Sequence, residues 1–195
     1  MPRKTRTEFP GAIHHVTMRG VNRQVVMRDD ADNSAFLQFL GITCDRFEWR
    51  ILAYCLMANH FHLVVGTNHA NLAAGMQWLS SAYARRHHHR YRTSGHLFQG
   101  RYSAVLVNRD AYLLEVVRYI LLNPVRAGLC RSTVDWRWSS AREALGLRPA
   151  PPWVDFSVVF GLLGAGDEEP APILARFLGQ EGVRPSPGGQ TPSGV

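Results

Sequence analysis

The chain has 195 residues, 46% of them apolar, which predicts one globular domain with a buried core and excludes a wholly disordered chain. It contains no run of about eighteen apolar residues and no apolar leader after its basic N-terminus, so we expect a cytoplasmic protein with no membrane partner. The formal net charge of +7 favours a polyanionic partner, above all nucleic acid, because fixed cations displace the counterions of phosphates.

The basic residues are almost all arginine, since Lys4 is the only lysine among 22 of them. Arginine suits bidentate binding of phosphate, although a genome biased toward arginine codons explains the composition equally well. Residues 85–109 contain no acidic residue and form a candidate phosphate-binding stretch, with a solvated helix surface as the alternative. The arginines of this stretch are Arg85, Arg86, Arg90, Arg92, Arg101 and Arg109.

The first half of the chain predicts a strand, a helix and a hairpin. Residues 12–20 alternate between apolar and polar side chains, as a half-buried strand does. Three aspartates near residue 30 then offer N-capping oxygens for a helix whose apolar positions recur at helical spacing. Residues 50–57 and 60–66 are two β-rich runs joined by a short connection, which predicts a β-hairpin.

A second amphipathic helix is predicted over about 72–89, followed by a fourth strand at 103–107. Asp110 can cap a third helix, and Pro124 should end that helix near residue 123. The order βαββαβ plus a helix predicts an α+β protein of the ferredoxin-like split βαβ type. This fold is a four-stranded antiparallel sheet with helices on one face.

The chain divides into three predicted parts. Residues 1–147 form the α+β domain, and 148–178 form a C-terminal helical extension that begins at a Pro-rich break. Within the extension, 156–163 and 173–178 are short apolar helical candidates. Residues 179–195 are rich in Gly, Pro, Ser and Gln and are expected to be a disordered tail.

Two histidines open the second strand of the hairpin. His60 and His62 share one strand face, whereas Phe61 points the other way into the core. Two imidazoles can hold one divalent ion and leave positions open for a phosphate oxygen, although strand histidines often form only hydrogen bonds. His14 and His15 face opposite sides of their strand and cannot chelate together, so one of them is expected in the core or facing DNA.

Glu115, Tyr119 and Asn123 lie four residues apart on one face of the third predicted helix. A phenol attacks phosphorus only when a base or a metal ion removes its proton and stabilises the oxyanion. A phenol near two imidazoles therefore suggests metal-assisted attack of tyrosine on a phosphate. The plainer alternatives are a core aromatic for Tyr119, a helix-stop residue for Asn123 and a salt bridge from Glu115 to Arg118 or Arg101.

Four segments carry a family resemblance. They are GAIHHVTMRGVNR at 11–23, MANHFHL at 57–63, FQGRY at 98–102 and RYILLNPVRAGL at 118–129. Together, and in this order, they resemble the single-tyrosine HUH transposases, and within these the REP-associated tyrosine transposase branch. The resemblance covers about residues 9–145 and implies a transposase of ferredoxin-like fold.

The resemblance also implies roles for single residues. His60 and His62 match the His-hydrophobic-His motif, and with Asn123 they would hold Mg²⁺ or Mn²⁺. Tyr119 matches the nucleophile, which would attack the DNA and form a 5′-phosphotyrosine link. The implied partner is single-stranded DNA with a REP-like hairpin, and the active site could be completed within a monomer or across a homodimer.

Arg19, Arg23 and Arg101 are the first candidates for contacts with this DNA, followed by Arg85 and Arg86. Two other functions stay open at the level of sequence. One is a domesticated DNA-binding protein that acts on repeats without cutting them. The other is a hydrolytic nuclease that depends on a metal ion but not on the tyrosine.

Overall fold

A computed structural model describes residues 8–108, 110–164 and 169–179. The strands are β1 (Ala12–Arg19), β2 (Trp49–Met57), β3 (His60–Thr67) and β4 (Ser103–Leu106). The helices are α1 (Asp30–Phe47), α2 (Leu72–Tyr91), α3 (Asp110–Arg126), α4 (Ala141–Ala144), α5 (Ser157–Leu162) and α6 (Pro170–Leu178). No helix in these ranges combines the length and the apolar character needed to cross a bilayer.

The four strands form one antiparallel sheet in the order β2-β3-β1-β4. The hairpin joins β2 to β3 through Ala58 and Asn59, and β1 lies between β3 and β4. This order is the ferredoxin-like arrangement, so the predicted α+β fold is confirmed. Side chains of one strand alternate between the two faces of the sheet. Different helices pack on the two faces.

The helices α1 and α2 cover the face to which Phe61 points. Phe61 is fully buried, and its ring centroid lies 4.6 Å from that of Phe36 on α1. The Phe36 centroid lies 5.2 Å from that of Tyr83 on α2. At the start of α1 the side chain of Asp29 accepts a hydrogen bond from the backbone N–H of Asp32, the predicted N-cap.

The helix α3 packs on the opposite face of the sheet, over β2 and β3. It buries an apolar stripe that consists of Leu113, Val116, Val117 and Ile120. The same face is left open over β4, where Val105 is 47% exposed beside His15. An open strip of sheet therefore runs alongside α3, and the side chains of α3 that point to this strip are accessible.

The prediction that Pro124 ends this helix near residue 123 is wrong, because α3 continues to Arg126 with Pro124 inside it. Proline removes one backbone donor, so the carbonyl of Ile120 loses its helical partner. Backbone bonds from Ala127 N–H and Leu129 N–H to residues 123 and 124 continue beyond it. Pro124 is itself buried, and this packing holds the last turn in helical form.

The C-terminal segments cover the outer edge of β2. Leu56 N–H donates to the Trp138 carbonyl oxygen over 2.8 Å, and Ile51 N–H donates to that of Trp153 over 2.9 Å. This pairing leaves β2 with fewer open backbone groups at the sheet edge. Both helical candidates of the extension are present as α5 and α6, and α6 begins at Pro170, three residues earlier than predicted. The predicted disordered tail lies outside the described residues from 180 onward.

Candidate active site

His60 and His62 stand on the face of the sheet that carries α3, as the strand alternation predicts. Their ring centroids lie 5.1 Å apart with the planes nearly perpendicular. His62 is 5% exposed and His60 is half-buried at the start of β3. The two rings therefore meet at one point of the sheet surface.

Asn59 orients the ring of His60. The Asn59 Nδ2 donates to the carbonyl oxygen of Arg23 over 3.2 Å, so its Oδ1 is the atom that faces His60. His60 Nδ1 lies 2.7 Å from this Oδ1 and must carry the proton, since a carbonyl oxygen only accepts. Its Nε2 is left with a lone pair, the form in which imidazole binds a metal ion.

Thr17 and His15 orient the ring of His62. His62 Nδ1 lies 3.1 Å from Thr17 Oγ1 and 3.1 Å from His15 Nε2, and the His15 and His62 rings stack at 5.3 Å. A proton on Nδ1 satisfies this arrangement and leaves Nε2 with a lone pair here as well. Of the first histidine pair, His15 thus belongs to the site, whereas His14 is 3% exposed in the core.

Burial lowers the pKa of both candidate ligands. The pKa of His60 falls to about 4, first through burial and then through the positive charge of Arg19. The pKa of His62 falls to about 3, through burial and then through the nearby His60, His15 and Arg19. Both rings are therefore neutral at physiological pH, and a neutral imidazole is the form that binds a metal ion. The two neutral imidazoles of His60 and His62 are therefore suitable ligands for a divalent metal ion.

Acid should weaken the fold through these two rings. A histidine in the unfolded chain takes up a proton near pH 6.5, but His60 and His62 do so only near pH 4 and 3 in the native state. The free energy of unfolding should thus fall as the pH drops from about 6.5 to 4. We expect the urea midpoint to fall less between pH 7 and pH 5 in His62→Gln than in the unmodified chain. Equal falls in both would contradict this.

Tyr119 of α3 faces the histidines. Its ring centroid lies 5.4 Å from that of His62 and 6.3 Å from that of His15, and the side chain is 39% exposed. The ring is not sealed in the core, and it lies beside histidines of its own chain. Asn123 follows one turn later and is 9% exposed. Its role as a metal ligand stays a prediction.

Within the described ranges no three His, Cys, Asp or Glu side chains group closely enough to hold a metal ion. The candidate site contributes two imidazoles of these types, so other oxygen atoms would have to complete the coordination. An amide oxygen and substrate phosphate oxygens are ligands that Mg²⁺ and Mn²⁺ accept.

Three of the predicted DNA-binding arginines gather near His60. Arg19 is paired with His60 in the register of β1 and β3, and it is exposed on the same face. Arg23 is exposed in the turn that Asn59 holds. Arg101 is exposed just before β4, beside the point where Gln99 N–H donates to the Arg19 carbonyl oxygen. The backbone of all three residues thus lies near the end of the sheet that carries His60, and their contact with DNA stays a prediction.

Arg85 and Arg86 lie elsewhere, on α2 at the other face of the sheet. Arg86 approaches the buried carboxylate of Asp32 at 3.4 Å, and Arg90 contacts the same carboxylate at 2.6 Å. Part of the basic stretch is thus neutralised by the acidic start of α1. The local sequence did not reveal these ion pairs, and the structure does not bring Arg85 or Arg86 to the site.

A cleft of about 300 Å³ opens beside Tyr119. Sequence reasoning gave no role to two of its lining residues, Tyr112 and Arg126. The available signal was their spacing, since each is seven residues from Tyr119 and residues seven apart share a helix face. The lining consists of His15, Tyr112, Glu115, Val116, Tyr119 and Arg126.

Comparison with known proteins identifies the family. The family model described as "Transposase IS200 like" matches residues 9–123, more than half of the chain. The chain belongs to the IS200-like transposase family. This match confirms the resemblance to tyrosine transposases that the four sequence segments indicate.

One curated relative and one solved structure are similar to this chain. A curated Haemophilus influenzae protein, named as a REP-associated tyrosine transposase, is 28% identical over 110 residues. The match covers 50% of this chain and 62% of the relative, so less than two thirds of the relative is spanned. A solved structure of a REP-associated tyrosine transposase bound to a REP hairpin has a TM-score of 0.65 at 18% identity, covering 81% of this chain and 96% of the other. That likeness shows the fold.

Proposed function

We propose that this chain cleaves and rejoins single-stranded DNA that carries a REP-like hairpin, with Tyr119 as the nucleophile. The observation that carries the proposal is the exposed Tyr119 ring beside His62, whose Nδ1 lies 3.1 Å from both Thr17 Oγ1 and His15 Nε2. Membership of a transposase family supports the reaction class. The names of the curated relative and of the hairpin-bound neighbour support the substrate.

The reaction is a transesterification. The Tyr119 oxygen attacks the scissile phosphorus, the bond from phosphorus to the 3′ oxygen breaks, and the phenol proton ends on the released 3′-hydroxyl. The 5′ phosphate stays attached to Tyr119. Attack by another 3′-hydroxyl reverses the step and joins the strands. No ATP is needed, because the phosphotyrosine ester replaces one phosphodiester bond.

In this proposal His60, His62 and Asn123 hold Mg²⁺ or Mn²⁺. When bound, the ion supplies positive charge that polarises the phosphate and favours loss of the phenol proton. The protein orients the two imidazole rings: Asn59 holds the ring of His60, and Thr17 and His15 hold the ring of His62. A ring that is fixed before the reaction loses no orientational freedom during it.

The arginines around the site, Arg19, Arg23 and Arg101, would neutralise backbone phosphates near the scissile bond, with Arg85 and Arg86 contacting more distant DNA. A monomer carries both the phenol and the two imidazoles, and a homodimer with this same arrangement is the alternative assembly. The domain limits at 147 and 178 stay predictions.

Covalent trapping tests the proposal. We expect the chain to form an adduct with labelled hairpin DNA in Mn²⁺ that survives denaturant, and we expect Tyr119→Phe to form none, because phenylalanine has no oxygen to attack phosphorus. Tyr91→Phe is the matched control. Its hydroxyl donates to Asp32 at the other face of the sheet, so the variant should form the adduct normally.

The outcome separates the three functions that the sequence leaves open. DNA binding with no adduct under any metal ion would favour a protein that binds repeats without cutting. Cleavage that persists in Tyr119→Phe, with product ends free of protein, would favour a hydrolytic nuclease. An adduct lost only in Tyr119→Phe supports the transposase chemistry.

A further inference from the structure

We propose that the cleft beside Tyr119 binds one unpaired nucleotide next to the scissile phosphate, with Glu115 selecting its base and Arg126 holding its backbone. This inference rests on the proposed function, since it needs the scissile phosphate to lie at Tyr119. It adds a base-selecting pocket to a site whose other contacts are to phosphate and metal ion.

The position of the cleft fits a flanking nucleotide. All its lining residues except His15 come from α3, and Tyr119 is one of them. His15 forms part of the floor and holds His62 at the same time. A strand whose phosphate contacts the Tyr119 hydroxyl would therefore place an adjoining nucleotide in or beside the cleft. Its volume of about 300 Å³ is at the small end of ligand pockets and suits a single base.

Two aromatic rings border the cleft and are unusually accessible. Tyr112 and Tyr119 are each 39% exposed, whereas Tyr54 and Tyr83 are almost fully buried in the core. Exposed aromatic rings beside a basic surface are the common stacking platform for single-stranded nucleic acid, because every base has a π-face. Tyr119 has its assigned role in the reaction, so Tyr112 is the ring available for stacking.

Arg126 brings an available positive charge. Its guanidinium carbon lies 5.7 Å from the ring centroid of Tyr119. In the described part of the chain no carboxylate pairs with it, in contrast to Arg90, which binds two aspartates. An arginine beside the nucleophile that is not engaged by an acidic side chain can bind the phosphate of the flanking nucleotide with two N–H groups.

Glu115 gives the cleft its selectivity. Its carboxylate is exposed at the cleft, and across the residues described here no cation lies within salt-bridge distance of it. A carboxylate near DNA is repelled by phosphate, but it can accept a hydrogen bond from the amino group of a base. Cytosine, adenine and guanine offer amino groups, whereas thymine offers one N–H between two carbonyls. The cleft should thus disfavour thymine.

Binding measurements on the non-cleaving Tyr119→Phe chain test this without relying on catalysis. Hairpin DNAs would carry each of the four bases at the nucleotide on either side of the scissile phosphate. At one of these two positions we expect thymine to bind about five- to 100-fold more weakly than the best base, the range of a good base contact. Glu115→Gln on that background should remove most of this difference, since an amide both donates and accepts. Glu48→Gln is the control, because it removes an exposed charge far from His60. This variant should keep the difference in affinity between thymine and the best base.

Arg126→Gln gives a separate signature. It should weaken binding of all four DNAs alike and lower the slope of log Kd against log salt by about one, as loss of one phosphate contact does. Equal affinity for the four bases at both positions, or a preference that survives Glu115→Gln, would overturn the role of the cleft and leave the proposed reaction intact. A base preference in a chain that never forms an adduct would support the cleft while the reaction chemistry fails.

Discussion

Replacing both His60 and His62 by alanine should abolish adduct formation on hairpin DNA, lowering its rate by at least about a thousandfold, because metal assistance contributes several kcal/mol to such a step. Binding of Mn²⁺, followed by electron paramagnetic resonance or calorimetry, should be lost in parallel. Binding of the hairpin itself should remain, since the phosphate contacts are assigned to arginines around the site. That combination distinguishes lost metal binding from a lost fold.

A matched control removes two other histidines. His69 is largely exposed in a pair with Glu48, and His89 is exposed on α2. The double variant His69→Ala, His89→Ala should keep both Mn²⁺ binding and adduct formation. If the His60, His62 variant still binds Mn²⁺ with the affinity of the unmodified chain, the metal site lies elsewhere and the assignment of these ligands is wrong.

Replacing Phe61, which lies between His60 and His62 in the chain, should instead destabilise the fold. Phe61 is fully buried and its ring centroid lies 4.6 Å from Phe36 and 6.1 Å from Phe98. Truncation to alanine leaves a cavity under α1 and α2, and such changes lower the free energy of unfolding by about 3–5 kcal/mol. A typical domain has about 5–15 kcal/mol in total, so much of the stability would be lost. Urea unfolding measures this.

Phe9→Ala serves as the comparison, because Phe9 is 44% exposed and its truncation should change the free energy of unfolding by about 0.5 kcal/mol or less. Phe61→Leu should fall between the two, since it retains part of the buried volume. A Phe61→Ala chain as stable as Phe9→Ala would mean that the faces of β3 are reversed, and the histidines would then point into the core.

The elements of this protein were predictable because their signals are local. The alternation along β3 assigns His62 to one face and Phe61 to the other, and the apolar stripe of α3 marks its buried side. The end of α3 was not predictable from Pro124, because packing of the last turn outweighed the missing backbone donor. The tendency of proline to end a helix is therefore overcome where packing stabilises the helical form.

The charges were less predictable than the elements. Arg86 looks like a DNA contact in a stretch without acidic residues, yet the carboxylate of Asp32 lies 3.4 Å away across the α1 and α2 contact. Coulomb interaction depends on distance in space and not along the chain, so composition alone cannot separate paired arginines from available ones. For the same reason, the sequence alone could not show whether Arg126 is paired with a carboxylate.

By itself the sequence determined the four strands, the helices α1, α2 and α3 and their order, and it identified the histidines and the tyrosine that we propose for the reaction. Tertiary structure alone decided that His15 Nε2 lies 3.1 Å from His62 Nδ1, a contact between residues 47 apart in the chain. It also decided that Tyr119 reaches the histidines of its own chain beside an open cleft. The physical reason is that periodicity shows which face a side chain takes, whereas the meeting of two faces depends on how the whole sheet and its helices pack.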